Sequence, residues 1–197
     1  MTSFRLLSPH DFRRVPWRNG GGTTAEIVTW PADAGGDAFA GRVSIANLDR
    51  DSVFSAWPGI DRTFVLLDGD GVVLVHDGAE VTLTALHDPY RFSGDRPSSC
   101  RLVGGSARAF NLMVRRGEAR GEVVVAGGAS AIAGAWRSCV CYSVRGKSEC
   151  LLAGRAPVPL AEGCAFVVDA RDPEAALHVN PLERGAVAIV ASLASAA

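Results

Sequence analysis

An all-β architecture is what this chain of 197 residues predicts, and three observations carry the prediction. Apolar and polar residues alternate in short runs, the two-residue period of a half-buried strand. Glycine, proline and aspartate punctuate those runs at close intervals, as hairpin turns require. No segment keeps a helical apolar period over three turns, so helices are not expected to build the core. Many short strands joined by tight turns make a sandwich or a barrel.

Phe4 to Val15 reads as a short strand and one helical turn, with Ser8-Pro9 at the start of the turn. The stretch Pro16-Trp17-Arg18-Asn19-Gly20-Gly21-Gly22 then runs an aromatic, a cation and an amide into three glycines. Such glycines bury nothing and cost backbone entropy, so they mark a sharp turn or a close approach. Neither phosphate-cradling motif fits. No Lys-Ser/Thr pair closes the loop, and Thr24-Ala25-Glu26-Ile27-Val28-Thr29-Trp30 has strand chemistry where a nucleotide fingerprint needs a helix.

After a surface loop, Arg42-Val43-Ser44-Ile45-Ala46-Asn47-Leu48 alternates strictly. Val43 and Ile45 face one way; Arg42, Ser44 and Ala46 face the other. Phe54 to Arg62 turns into the strand Thr63-Phe64-Val65-Leu66-Leu67, and Asp68-Gly69-Asp70-Gly71 connects it to Val72-Val73-Leu74-Val75. His76-Asp77-Gly78 turns once more into Glu80-Val81-Thr82-Leu83-Thr84, and the half closes on Ala109 to Gly117.

The second half repeats the first. At a constant offset of 77, Gly69 falls on Gly146, Leu74 on Leu151 and Leu83 on Leu160. The closing strand Ala109-Phe110-Asn111-Leu112-Met113-Val114 falls on Ala186-Val187-Ala188-Ile189-Val190-Ala191. A duplicated β unit follows, with a first unit at 1–117 that includes the N-terminal strand and the glycine loop, and a second at 118–197. The copies differ in polarity: Arg62 falls on Cys139, Asn111 on Ala188 and Arg115 on Ser192. The first unit is therefore expected to bear the site and the second to be scaffold.

Composition excludes several classes of function. The chain is 48% hydrophobic and 21% charged, with a formal net charge of −1, which gives no field for nucleic acid or an anionic membrane. No apolar run reaches membrane-spanning length, and Phe4 to His10 is no secretory segment. The five cysteines, an odd number, suggest reduced thiols in the cytoplasm.

The four histidines, His10, His76, His87 and His178, form no His-x-His pair and share no strand, so no metal and no other cofactor is expected. No Gly-x-Ser-x-Gly elbow marks a nucleophile, and no catalytic residue is assigned. Recognition remains. Arg42, Arg62 and Arg115 lie on or beside first-half strands with Ser44 and Asn111 as neutral partners, and guanidinium forks suit a small organic acid. Trp17, Asn19, Gly21, Gly22, Thr24 and Glu26 would form one wall. Glu26 could alternatively act as a general acid or base.

Together these stretches resemble the HutD/Ves family. The resemblance rests on Pro16 to Ile27, Arg42 to Ala46, Phe54-Ser55-x-x-Pro58-Gly59-Ile60-Asp61-Arg62, the Leu67 to Gly71 turn and Phe110 to Gly117. It implies a bicupin, two jelly-roll-like β barrels packed together, and an association with bacterial histidine utilisation. The implied role is that of an accessory or regulatory protein binding a pathway acid such as urocanate or a formylated glutamate derivative. Many cupins hold a metal on a His-x-His…Glu…His set that this sequence lacks. Two other readings stand beside this one: an enzyme acting on the same acids through Glu26, and a ligand-free interaction protein. By analogy with other cupins, a homodimer is expected.

Overall fold

A computed structural model describes residues 2–17, 21–32, 34, 38–133, 135–169 and 176–196. Among these every regular element is a strand, as the alternation predicted. The chain opens with β1 (Ser3–Leu7), β2 (Arg13–Pro16), β3 (Gly22–Trp30), β4 (Gly41–Leu48), β5 (Ser52–Phe54) and β6 (Ile60–Asp68). It continues through β7 (Val72–His76), β8 (Ala79–Leu83), β9 (Pro89–Ser93), β10 (Ser98–Leu102) and β11 (Ala107–Arg115). The second half carries β12 (Ala119–Ala126), β13 (Ser130–Ile132), β14 (Ser138–Arg145), β15 (Ser148–Leu152), β16 (Val158–Leu160), β17 (Ala165–Asp169), β18 (Leu177–Pro181) and β19 (Val187–Ser195). Ser8 to Asp11 closes one hydrogen-bonded turn rather than a helix, with the Asp11 carboxylate accepting from the Ser8 amide and hydroxyl. No helix is long and apolar enough to cross a membrane.

Two compact units result, Arg13–Glu118 and a unit joining Met1–Phe12 to Ala119–Ala197. The expected first unit, 1–117, included the N-terminal strand; β1 instead pairs antiparallel with β17, Phe4 opposite Val168. Nothing local in the sequence encodes that long-range pairing, and the Phe4 ring against Phe166, with centroids 5.1 Å apart, is what anchors it.

The repeat is visible in the topology. In the unit 13–118 the sheets run β2-β3-β4-β11-β6-β9 and β5-β10-β7-β8; in the other they run β1-β17-β14-β19-β12 and β13-β18-β15-β16. Strand for strand, β4-β11-β6-β9 matches β12-β19-β14-β17, and the smaller sheets match throughout. Gly69 and Gly146 occupy equivalent turns, both in the left-handed region (φ 102° and 68°) that a side chain would strain. The constant offset holds for β6 and β14 but not for the closing strands: Met113 opposite Arg62 answers to Ser192 opposite Cys139, so Asn111 corresponds to Val190 rather than to Ala188, and Leu74 corresponds to Cys150.

Each unit buries its apolar strand faces between its two sheets. Phe64, Leu66, Leu74 and Ala109 centre one core. Trp136, Cys141, Leu160, Phe166 and Val190 centre the other. Asp77 and Gly78 (φ 51° and 85°) make the two-residue β7–β8 hairpin, whose positive φ values match the strand twist.

Candidate functional site

Strand register assembles the site. Met113 on β11 lies opposite Arg42 on β4 and Arg62 on β6, so one inward row reads Arg42, Met113, Arg62 across three adjacent strands. The next row reads Ser44, Asn111, Phe64. Because alternate residues share a face, Arg42, Ser44 and Ala46 point together, as the alternation of β4 predicted. A cavity of about 40 Å³ sits over these rows, lined by Trp17, Thr24, Arg42, Ser44, Ala46, Phe54, Arg62, Asn111 and Met113.

Aromatic rings hold the two cations. The Arg62 guanidinium carbon lies 4.9 Å from the Phe92 ring centre and 5.1 Å from that of Phe54. That of Arg42 lies 4.7 Å from Trp57 and 4.9 Å from Phe39. Ring faces attract a cation without neutralising it. Arg62 donates through Nη2 to Asn111 Oδ1 at 3.3 Å, while its buried Nε finds no acceptor among the described residues. No carboxylate there pairs with it. Burial, and then the charge of Arg42, pull its pKa down to about 10. Arg42 Nη2 lies 2.8 Å from Met113 Sδ.

Trp17 closes the far wall. Its amide donates to the Gly22 carbonyl at 3.0 Å, its indole Nε1 donates to Thr24 Oγ1 at 2.7 Å, and its ring meets Phe54 edge-on at 5.7 Å.

The other predicted site residues lie elsewhere. Glu26 forks with Arg13, both carboxylate oxygens within 3.0 Å of Nη2, and stays off the cavity lining. Arg115 shares the parity of Asn111 and Met113 but sits at the end of β11, where its Nε donates to the Phe39 carbonyl at 3.2 Å and approaches Glu118. The Gly21 carbonyl accepts from the Asp49 amide. At Gly22 an added Cβ would overlap the Asn47 carbonyl oxygen, so this glycine serves a close approach of strands rather than of ligand to backbone. Asn19 lies outside the described residues.

Three lining residues escaped sequence reasoning. Ala46 and Met113 were signalled by parity with Ser44 and Asn111. Phe54 carried no signal, because it reaches the cavity from the opposite sheet.

In the other unit the inward positions of the equivalent strands carry Val124, Ala126, Cys139, Cys141, Ala188 and Val190, all in one apolar cluster. Polar lining thus belongs to one copy. It comprises hydrogen-bond donors and hydroxyls, without a carboxylate, imidazole or thiol. Such a set can bind and orient an anion, and it offers no proton acceptor for acid–base chemistry. Among the described residues no three of His, Cys, Asp and Glu converge as metal ligands would.

Comparison with known proteins agrees with this fold. The model of the HutD family matches residues 9–189. A 21.2 kDa protein from the hutC 3′ region of Pseudomonas putida is 34% identical over 155 residues, 79% of this chain and 81% of that one. Protein Ves of Cronobacter sakazakii is 38% identical over 120 residues, covering 59% of this chain and 65% of its own. The solved structure of HutD from Pseudomonas fluorescens SBW25 superposes with a TM-score of 0.83 at 28% identity, covering 99% of this chain and all of that one. The oxalate decarboxylase of Lactobacillus farciminis, at 9% identity and a TM-score of 0.63 over 95% of this chain and 85% of its own, shares the fold alone. The architecture is an all-β bicupin.

Proposed function

The chain belongs to the HutD family, and from that premise we propose that it binds a small carboxylate of histidine degradation in the unit 13–118. It acts as an accessory or regulatory protein of histidine utilisation rather than as a catalyst. One observation carries the reading: Arg62 is a buried cation with no carboxylate partner among the described residues, and it faces a cavity. A desolvated charge is costly unless paired, and a ligand carboxylate is the partner that the protein itself does not provide.

The cavity's size narrows the choice. About 40 Å³ admits a carboxylate head and little more, so the body of the acid lies outside the mouth. Urocanate and formylglutamate both present such a head on a longer body. The fork between Glu26 and Arg13 favours binding over catalysis, since it occupies the carboxylate that acid–base chemistry would need.

Thermal melts with histidine, urocanate, imidazolone propionate, formiminoglutamate, formylglutamate and glutamate test the reading, each with and without divalent metal. A ligand at a hundredfold excess over its Kd stabilises the folded state by ~2.7 kcal/mol, a shift of several degrees for a chain this long. The expected outcome is a metal-independent shift with one pathway acid, retained by Glu26→Gln. A shift seen only with added metal, or loss of the shift in Glu26→Gln, overturns it.

A further inference from the structure

One histidine stands behind the cavity wall and outside the function just proposed. His76 ends β7, immediately before the Asp77-Gly78 hairpin turn. Its ring packs on Phe92 with centroids 4.6 Å apart, and the Arg62 guanidinium lies 4.9 Å from the centre of that same ring. Nδ1 lies 2.7 Å from the Ser98 hydroxyl, while the buried Nε2 has no hydrogen-bond partner among the described residues. In the tautomer whose Nδ1–H donates to Ser98 Oγ, Nε2 takes up the proton; in the other, Nδ1 does, and in either case the imidazolium brings its charge to this position.

We propose that carboxylate binding at Arg62 is coupled to protonation of His76, so that the site holds its ligand more tightly in mild acid. The proposal rests on the reading of the cavity as a carboxylate site.

The groups around His76 set the sign. Burial and then the positive charge of Arg62 on β6 hold its pKa below the ordinary imidazole value, while Asp77 in its own turn opposes them. Asp77 is itself held by Arg96 at 2.7 Å. From β9, Tyr90 stacks against the ring; from β10 comes the neutral Ser98; and on β8 the residue opposite is Ala79. Of these only Arg62 lines the cavity. An anion placed on its guanidinium cancels the charge that His76 feels and raises the proton affinity of the imidazole. Linkage then requires the reciprocal effect: affinity is highest below the His76 pKa of the free protein and falls to a lower plateau above that of the complex.

Proton NMR of the His76 Cε1–H, assigned by its loss in His76→Gln, tests the coupling. Titrations run with no ligand, with formylglutamate and with acetate, and affinities are referred to the ionised acid, since both carboxylates are partly protonated at pH 5. The pKa of His76 should rise by roughly half a unit or more on binding, with ~3-fold tighter binding at pH 5 than at pH 8. Without ligand, Arg62→Gln should raise it in the same direction. Binding seen at the Asn111 side-chain amide without movement of His76 sinks the coupling and leaves the carboxylate site standing. Absence of binding by either acid sinks both.

Discussion

Arg62 decides most at the scale of a single residue, because its environment treats a charge as something to be completed. Two aromatic rings, one amide oxygen at 3.3 Å and a neighbouring Arg42 make a poor electrostatic home. Replacing buried ionic groups by well-packed apolar ones is often neutral or stabilising by ~1–4 kcal/mol. Arg62→Met is therefore expected to melt at or above the wild-type temperature without ligand, and to lose the ligand-induced rise. A lower melting temperature with the rise intact would mean that Arg62 is a structural cation. The same scale shows what strand periodicity can convey. Arg42, Ser44 and Ala46 were legible because two-residue alternation fixes a face without any tertiary knowledge. Glu26 and Arg115 lie off the cavity lining, because alternation fixes only the face, not the position along it. A bulge follows Glu26, and Arg115 has run past the end of the cavity.

Among the elements, the glycine loop is where local chemistry and fold meet. Its signal was strong in the sequence, yet Gly21 accepts from the Asp49 amide and Gly22 answers to Asn47 on the neighbouring strand. Gly22→Ala forces two strands apart at the point where the Trp17 amide bonds to the Gly22 carbonyl. Overpacking of this kind costs about 1–3 kcal/mol. A urea titration should show a lower midpoint at unchanged slope, whereas Gly127→Ala, with open space and no positive φ, should stay within roughly 0.5 kcal/mol of wild type. Equal behaviour of the two variants would return the loop to a flexible connector. Turns such as Asp77-Gly78 could be read directly, since their chemistry is local. The pairing of β1 with β17 could not, since it joins segments more than 150 residues apart.

For the whole molecule, duplication followed by divergence explains why one unit keeps a polar cavity and the other an apolar core. The offset was legible because turn glycines recur where backbone geometry requires them; the two-residue displacement of β19 relative to β11 was not, since apolar strands match each other cheaply. The five free cysteines now report on the two units separately. Cys100 lies in the unit 13–118, and Cys139, Cys141 and Cys150 lie in the other, all buried. Burial pushes the Cys100 thiol up to about 12 and the Cys139 thiol higher still. In Cys141 a hydrogen bond with Cys150 and then burial act in the same direction. Since the thiolate is the reactive species, these groups should label only when the chain opens. Cys164, half-buried, is left as the early reactor. Treating native protein with a disulfide reagent near pH 8 should thus modify one thiol quickly and the rest at the rate of opening. A saturating pathway acid should then slow the labelling of Cys100, because a ligand that binds only the folded cavity reduces the population in which that thiol is exposed. If the acid slows Cys139, Cys141 and Cys150 but leaves Cys100 unaffected, the ligand binds in the wrong unit for the assignment made above, and the cavity at Arg62 loses its claim.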